Sequence, residues 1–181
     1  MIHYRGSMNA EETSQPRLVR DLMTVGVKTC APHLPIGEVA RLLLEHDLEG
    51  VIVLDHEGHA VGVITPEELV RAYAHPEAAN LTAGDIMRDD IPTLPPDIPL
   101  TAAAQLMQDM GVRVVFLMHN AAGIIYPAAM LSYRHFLRHL AAQSPDDLRD
   151  LGIKAEREAP LVTFIRKRDA LRRQHPRSTQ E

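Results

Sequence analysis

The sequence is poor in the features that mark secreted, membrane-spanning and disulfide-linked proteins. Its 181 residues include a single cysteine, Cys30, so no disulfide can form within the chain. No apolar run reaches the roughly 18 residues that a membrane-spanning helix needs. Residues 1–12 are polar and lack the apolar core of a signal peptide. These absences predict a cytoplasmic protein that does not insert into a membrane.

Aromatic residues and metal-binding patterns are also scarce. Tryptophan is absent and aromatic residues make up 4% of the chain, which leaves few rings on which single-stranded nucleic acid stacks. We therefore do not expect a nucleic-acid partner. The ten histidines are accompanied by no cysteine pair, HExxH string or carboxylate triad, so no metal site is predicted. No group of residues has the pattern of a catalytic site either, and we expect no enzyme.

The main positive feature is an internal repeat. Asp21-Leu22-Met23 recurs 64 residues later as Asp85-Ile86-Met87. The same offset relates 29–32 to 93–96, and 51–54 to 115–118. Beyond these runs, the residues 62–66 align with 123–127, which makes the second hairpin three residues shorter than the first.

Each copy is predicted to form a β-α-β-β-α unit. A proline-rich turn ends the first short strand, and the apolar stripe that follows predicts a helix over 36–45. The next apolar run suits a strand that is buried on both faces. After the hairpin, Pro66 and the carboxylates behind it are typical of a helix start. Because neither unit covers its sheet alone, we predict an α/β (α+β) fold of two pseudo-symmetric βαββα repeats packed through their sheets.

These patterns divide the chain into four predicted segments: a flexible N-terminus at 1–16, repeats at 17–80 and 81–142, and a helical basic tail at 143–181. The net charge of −5 is uneven, because residues 1–150 carry 11 Lys/Arg and 20 Asp/Glu while 151–181 carry 8 and 4. The tail either folds back on the acidic body or contacts a protein partner.

The repeated strings give the sequence a clear resemblance. It resembles a tandem pair of cystathionine-β-synthase (CBS) domains, also called a Bateman module. The resemblance implies a cleft between the repeats that binds an adenine nucleotide or a related adenosyl ligand, and it also implies side-by-side dimers. The strings that carry it are Asp21-Leu22-Met23, Thr29-Cys30-Ala31-Pro32, the residues 50–55 and the residues 62–69.

One cleft is expected to join the residues 62–68 of the first repeat to 91–93 of the second. A threonine at a helix N-terminus suits a phosphate, and a carboxylate suits the hydroxyls of a ribose. The alternative is that Thr65 and Glu68 only cap the helix. The family often has a basic residue at the position of Gly50. The candidate ligand-binding residues of this cleft are Thr65, Glu68, Thr93, Ile91, Gly50 and Ile64.

The second cleft is expected to join 27–29 to the residues 123–129, and we interpret it as degenerate. Tyr126 stands at the threonine position and Ala129 at the carboxylate position of the alignment. Arg113 lies near a strand position that can reach a phosphate, although a solvated surface arginine is the alternative. The candidate residues of this cleft are Thr29, Val27, Arg113, Tyr126 and Ala129.

Two hypotheses for function follow. The first is a regulatory module that senses AMP, ADP, ATP or a similar adenosyl ligand. The second is a homodimerisation module that binds no ligand and uses its basic tail to contact an unidentified protein. In both cases we expect a homodimer, with a methionine-rich contact face around Met107, Met110 and Met130.

Overall fold

The computed structural model describes residues 17–142, and the predicted N-terminal segment 1–16 and basic tail 143–181 lie outside them. The elements of the first half are α1 (Val19–Leu22), β1 (Thr24–Val25), β2 (Thr29–Cys30), α2 (Ile36–Glu45), β3 (Val51–Leu54), β4 (Ala60–Ile64) and α3 (Pro66–Tyr73). A 3₁₀ turn at Ala78–Asn80 follows. The elements of the second half are α4 (Ala83–Ile86), α5 (Leu100–Asp109), β5 (Val114–Ala121), β6 (Ile124–Ser132) and α6 (Tyr133–Ala141).

The strands form two small sheets, each built on an antiparallel hairpin, with β2 parallel to β3 in the first and β1 antiparallel to β6 in the second. The first sheet has the order β2-β3-β4 and the second has the order β1-β6-β5. In both hairpins the register shifts at equivalent positions, between Val53 and Leu54 and between Leu117 and Met118. The predicted α/β (α+β) fold of two pseudo-symmetric repeats is therefore confirmed, and the two hairpins share the position of a bulge.

Each repeat lends a short segment to the sheet of the other. Thr24 of β1 pairs with Met130 of β6, and Arg88 pairs with Val63 of β4 in the same antiparallel manner. The preceding helices follow the same exchange: α1 packs into the core of the second repeat and Ala83 of α4 packs into that of the first. The repeats are thus interlocked rather than merely adjacent.

A central cluster of apolar side chains joins the two sheets. It contains Phe116, which is fully buried, and it fixes the relative position of the repeats because both contribute to it equally. Its buried members are Val27, Ile52 and Val63 from the first repeat and Val114, Phe116 and Met130 from the second. Met107 is also fully buried, so the predicted methionine-rich contact face is wrong: only Met110 of the three methionines is exposed.

The second hairpin is three residues longer than the first, and the predicted alignment of 62–66 with 123–127 is wrong. Val51 pairs with Ile64, whereas its counterpart Val115 pairs with Leu131. The cross-strand hydrogen bonds therefore set the offset after the hairpin at 67 residues. The resemblance between the two Gly-x-x-x-Pro strings lies in sequence alone, because Pro127 sits in the middle of β6.

Candidate functional site

A cavity of about 490 Å³ lies between the two repeats, at the N-terminal end of α3. Its volume falls within the range of about 300–1,000 Å³ that is typical of small-molecule sites. Both repeats contribute to its walls. The lining residues are Glu49, Thr65, Pro66, Glu67, Arg88, Pro92, Val112, Arg113, Val114 and Tyr133.

Thr65 and Glu68 form a capping box at the start of α3. The Thr65 backbone N–H and hydroxyl both donate to Oε2 of Glu68, at 2.8 and 2.5 Å, and the Glu67 N–H donates to the Thr65 hydroxyl at 3.2 Å. Glu68 is only 2% exposed. Its carboxylate therefore points into the protein. A ribose hydroxyl would have to compete for Oε2 with the two hydrogen bonds from Thr65.

The second oxygen of Glu68 faces an arginine from the other repeat. Oε1 of Glu68 lies 4.0 Å from Nε of Arg88, and both atoms are buried without a hydrogen-bond partner among the described residues. Nη2 of Arg88 donates to the Asp90 carbonyl oxygen at 3.2 Å. The guanidinium is thus shared between the buried carboxylate, a loop carbonyl and the cavity wall.

The mouth of the cavity carries two acids and a second arginine. Nε of Arg113 lies 3.8 Å from Oε1 of Glu67, with both side chains more than half exposed, so this ion pair contributes little to stability. Burial raises the pKa of the Glu49 carboxyl above its usual range, although the nearby Arg113 charge and a hydrogen bond from the Arg134 backbone oppose the shift. The cavity therefore presents charges of both signs.

The other residues predicted for the first cleft lie around the cavity but do not line it. Ile64 is fully buried and packs in the core of the first repeat. Ile91 packs against the central cluster, and Thr93 is exposed and pairs with Phe116. At Gly50, an added Cβ would lie 3.1 Å from Cγ1 of Val114, so this glycine permits the close approach of the repeats. Whether any of these residues contacts a ligand stays a prediction.

The counterparts of Thr65 and Glu68 in the second repeat are Ser132 and His135, not Tyr126 and Ala129. Ser132 is the N-cap residue of α6, and its backbone N–H donates to Nδ1 of His135 at 3.0 Å. Tyr126 stacks on His119 within the hairpin, and Ala129 is 2% exposed and packs in the second core. The hairpin of the second repeat carries them away from the helix start.

The remaining residues predicted for the second cleft are dispersed. Val27 is buried in the central cluster, and Thr29 is exposed on β2, where it pairs with Ile52. Arg113 lines the first cavity and faces Glu67 instead. The structure thus brings Arg113 together with Thr65, which the sequence assigned to different clefts.

In the second repeat, His135 stands at the position of Glu68 and forms hydrogen bonds as a neutral group. Nδ1 accepts from Ser132, which assigns the proton to Nε2, and Nε2 then donates to the Thr24 hydroxyl at 2.8 Å. Burial, reinforced by the charges of Arg138 and Arg134, lowers the pKa of His135 to about 4. Thr24 occupies the position of Arg88, so a neutral pair replaces the charged pair of the first cleft.

The cavity residues that could not be named from the sequence are Glu49, Arg88, Val112, Val114 and Tyr133. A signal for the second helix start was nevertheless present, because Ser132-x-x-His135 has the spacing of Thr65-x-x-Glu68. Within residues 17–142 there is no cluster of three or more His, Cys, Asp or Glu side chains placed to hold a metal. The helices of that same span include none with the length and apolar character needed to cross a bilayer.

Two interlocked βαββα repeats with a cavity between them define a tandem-repeat module. The CBS domain family matches the sequence over residues 19–75 and again over 83–142. The chain belongs to the CBS domain family and contains a tandem CBS pair.

Curated relatives are similar over parts of the chain. An uncharacterized 17.7 kDa protein of Acidianus ambivalens is 27% identical over 95 residues, which is 52% of this chain and 57% of that protein. The L-aspartate semialdehyde sulfurtransferase of Methanocaldococcus jannaschii is 28% identical over 60% of this chain and 21% of its own length. Hypoxic response protein 1 of Mycobacterium tuberculosis is 26% identical over 68% of this chain and 88% of its own. The match thus spans 57% or less of the first three relatives.

Solved structures share the fold. The CBS domain pair of protein MJ0100, in complex with 5′-methylthioadenosine and S-adenosyl-L-methionine, has a TM-score of 0.62 at 21% identity. The similarity covers 72% of this chain and 100% of that one. A CBS-domain protein of Agrobacterium tumefaciens has a TM-score of 0.58 at 21% identity, over 80% of this chain and 100% of that one.

Proposed function

We propose that this chain is a regulatory module that binds one adenosyl ligand in the cavity between its repeats and is not itself an enzyme. The observation that carries the proposal is the cavity of about 490 Å³ whose walls come from both repeats. A ligand held by both repeats favours one relative arrangement of them over others, which is how binding alters the surface that a partner contacts.

The lining suits the parts of an adenosyl ligand. Pro92, Val112, Val114 and the Tyr133 ring offer an apolar wall for a base. The guanidiniums of Arg88 and Arg113 and the positive end of the α3 dipole lie at the same cavity and suit an anionic group. The ligands of the MJ0100 CBS pair, 5′-methylthioadenosine and S-adenosyl-L-methionine, support the adenosyl class. Glu68 does not itself line the cavity and its Oε2 accepts from Thr65, so the predicted ribose contact requires this side chain to move.

A thermal-shift panel tests the proposal on the full chain. The panel contains AMP, ADP, ATP, S-adenosyl-L-methionine, 5′-methylthioadenosine and NAD. A ligand that binds only the folded state stabilises it by about 2.7 kcal/mol at a hundredfold excess over Kd, and this stabilisation raises the melting temperature. We expect at least one member of the panel to do so, whereas no shift with any member would contradict ligand sensing of this class.

Arginine variants then locate the site. Arg113→Ala removes a guanidinium from the cavity mouth, and we expect it to weaken an anionic ligand by about tenfold, the effect of losing one charge-assisted hydrogen bond. Arg41→Ala is the matched control, because Arg41 is an exposed arginine on α2 that pairs with Glu38 away from the cavity lining. Equal affinities for the two variants would show that the ligand binds elsewhere.

The second candidate function, a homodimerisation module, is favoured by apolar side chains on the outer helices. Val70 and Tyr73 of α3 are 71% and 85% exposed, and their counterparts Leu137 and Leu140 of α6 are 65% and 81% exposed. Exposed apolar residues at equivalent positions of both repeats provide faces on which a second copy buries them. We propose a homodimer formed through these helices.

Light scattering checks the dimer. We expect the mass of a dimer for the full chain and the mass of a monomer for Tyr73→Glu combined with Leu140→Glu. Ligand binding that persists in the monomeric variant separates the two candidate functions, since the cavity lies within one chain. A monomeric mass for the unaltered protein would exclude the dimer at that concentration.

A further inference from the structure

A charged contact joins the two repeats beside the cavity and is not complete. Oε1 of Glu68 and Nε of Arg88 are 4.0 Å apart, and each is buried without a hydrogen-bond partner among the described residues. The Glu68 side chain is 1% exposed, whereas that of Arg88 is 34% exposed. A buried carboxylate oxygen without a partner is costly, so the position of this guanidinium decides how well Glu68 is accommodated.

The backbone on both sides of the contact is held in place. Val63 and Arg88 exchange two backbone hydrogen bonds of 2.9 Å. The chains approach so closely here that a Cβ on Gly62 would lie 2.9 Å from the Arg88 carbonyl oxygen and 2.6 Å from Sδ of Met87. Glu68 is fixed in turn by its hydrogen bonds to Thr65. Of the two charged side chains in the contact, only that of Arg88 lines the cavity, and it is the more exposed of the two.

The equivalent contact of the second repeat has no such freedom. Thr24 and His135 stand at the positions of Arg88 and Glu68, and they share a hydrogen bond of 2.8 Å. Both groups are neutral and satisfied, so an anion gains nothing by competing for them. The two clefts therefore differ. In the second repeat a neutral hydrogen bond between Thr24 and His135 occupies the position, whereas in the first the Arg88 guanidinium can interact either with Glu68 or with an anion in the cavity.

From this asymmetry we infer that Arg88 and Glu68 form a ligand-responsive latch between the repeats. In the empty chain the Arg88 guanidinium neutralises the buried Glu68 carboxylate. An anionic group in the cavity, whether the phosphate of a nucleotide or the carboxylate of an amino-acid moiety, draws the guanidinium toward itself and loosens its hold on Glu68. Arg88 thus selects anionic ligands and couples occupancy to the contact between repeats. The ligand half of this inference rests on the proposed function, while the contact with Glu68 does not.

A double-mutant cycle on the ligand-free chain tests the latch itself. The variants are Arg88→Gln, Glu68→Gln and the pair, with urea unfolding as the measurement. We expect the effects on the unfolding equilibrium constant to be coupled by about tenfold, because either single change leaves one buried charge without its partner. Independent effects would overturn the latch, whatever binds in the cavity.

A second variant keeps the test valid if Glu68→Gln fails to fold. Glu68→Asp retains a carboxylate for the cap, since Asp85 at the same position of α4 accepts from the backbone N–H and the hydroxyl of Thr82 at 2.8 and 2.7 Å. The shorter side chain lies farther from Arg88. We therefore expect Glu68→Asp to lose the coupling with Arg88→Gln while it preserves the helix start.

Ligand pairs of which only one member carries a phosphate or a carboxylate test the responsive half. AMP is compared with adenosine, and S-adenosyl-L-methionine with 5′-methylthioadenosine. Calorimetry gives the concentration that saturates the chain, and the coupling is then measured by urea unfolding at that concentration. We expect the member that carries the phosphate or the carboxylate in at least one pair to reduce the Glu68–Arg88 coupling to less than about threefold, while the member without that group leaves it unchanged. A response in the AMP pair identifies the phosphate, and a response in the S-adenosyl-L-methionine pair alone identifies its amino-acid moiety. The coupling between Thr24→Val and His135→Asn is the matched control and should respond to neither.

The remaining outcomes separate the two proposals. Coupling that stays at its ligand-free value with every bound probe that carries a phosphate or a carboxylate would overturn the responsive half while ligand sensing stands. Coupling without binding of any probe would overturn the proposed function and the responsive half together, and would leave Glu68–Arg88 as a fixed ion pair.

Discussion

His135 predicts a specific acid sensitivity of the fold. The neutral imidazole accepts from the Ser132 N–H and donates to the Thr24 hydroxyl, and burial lowers its pKa from 6.5 to about 4. The unfolded chain binds this proton near pH 6.5, whereas the folded chain resists it until about pH 4. The stability is therefore complete above pH 6.5 and is lost as the pH falls from 6.5 toward 4.

The magnitude follows from the pKa change. Each pKa unit corresponds to about 1.4 kcal/mol, so lowering the pH from about 7.5 to about 4.5 should cost about 2.5 kcal/mol through this one side chain. Carboxylates titrate in the same interval, so the relevant quantity is the difference from His135→Asn, which keeps an acceptor near the Ser132 N–H but has no proton to bind.

Urea unfolding at the two pH values is the assay. The unaltered chain should lose about 2.5 kcal/mol more than His135→Asn between them. The same pH dependence in His135→Asn and in the unaltered chain would show that the imidazole is not held neutral by its burial.

Three further predictions test the packing. Gly62→Ala should destabilise the chain by about 1–3 kcal/mol in urea unfolding, because its Cβ would meet the Arg88 backbone, whereas Gly37→Ala on α2 has open space and should stabilise it by about 0.5–1 kcal/mol. Cys30 is 9% exposed and burial raises its thiol pKa to about 11, so it should resist a disulfide reagent in the folded chain and react once urea unfolds it. Ala129→Asp should destabilise the chain by about 3 kcal/mol or more, because it buries a charge in the core of the second repeat, and it should create no second ligand site. A second site per chain in calorimetry would contradict the assignment of Ser132 and His135 to the position of Thr65 and Glu68.

Local patterns were sufficient to predict most of the fold. The helix α2, the strands β3 and β4 and the start of α3 depend on apolar spacing and on Pro66, all of which are visible over a few residues. The repeat itself was visible because its two halves share strings at a fixed offset. The family and the fold class could therefore be predicted before any coordinates were known.

The second hairpin could not be predicted by the same means. Its string from Gly123 to Pro127 imitates the end of the first hairpin, but the strand continues because its hydrogen bonds with β5 extend to Ser132. A register is decided by pairs across the sheet, which a comparison of two strings does not contain. The error moved the predicted second site from Ser132 and His135 to two residues of the hairpin.

The contact of Arg88 with Glu68 was missed for a related reason. The two residues are 20 positions apart and belong to different repeats, and they meet only because the segment after α4 crosses to the first sheet. Nothing in the sequence around either residue indicates that the other lies beside it. The capping role of Thr65 and Glu68 was predictable, whereas the burial that turns Glu68 away from the cavity was not.

The most direct test of the account is the stoichiometry of binding. Isothermal titration of the full chain with the adenosyl ligand that gives the largest thermal shift measures sites per chain. We predict one site, because the cavity beside Thr65 is open whereas the equivalent position of the second repeat is closed by Thr24 and His135. Two equivalent sites per chain would contradict it, and so would a single site whose affinity is indifferent to Arg113→Ala and Arg88→Gln.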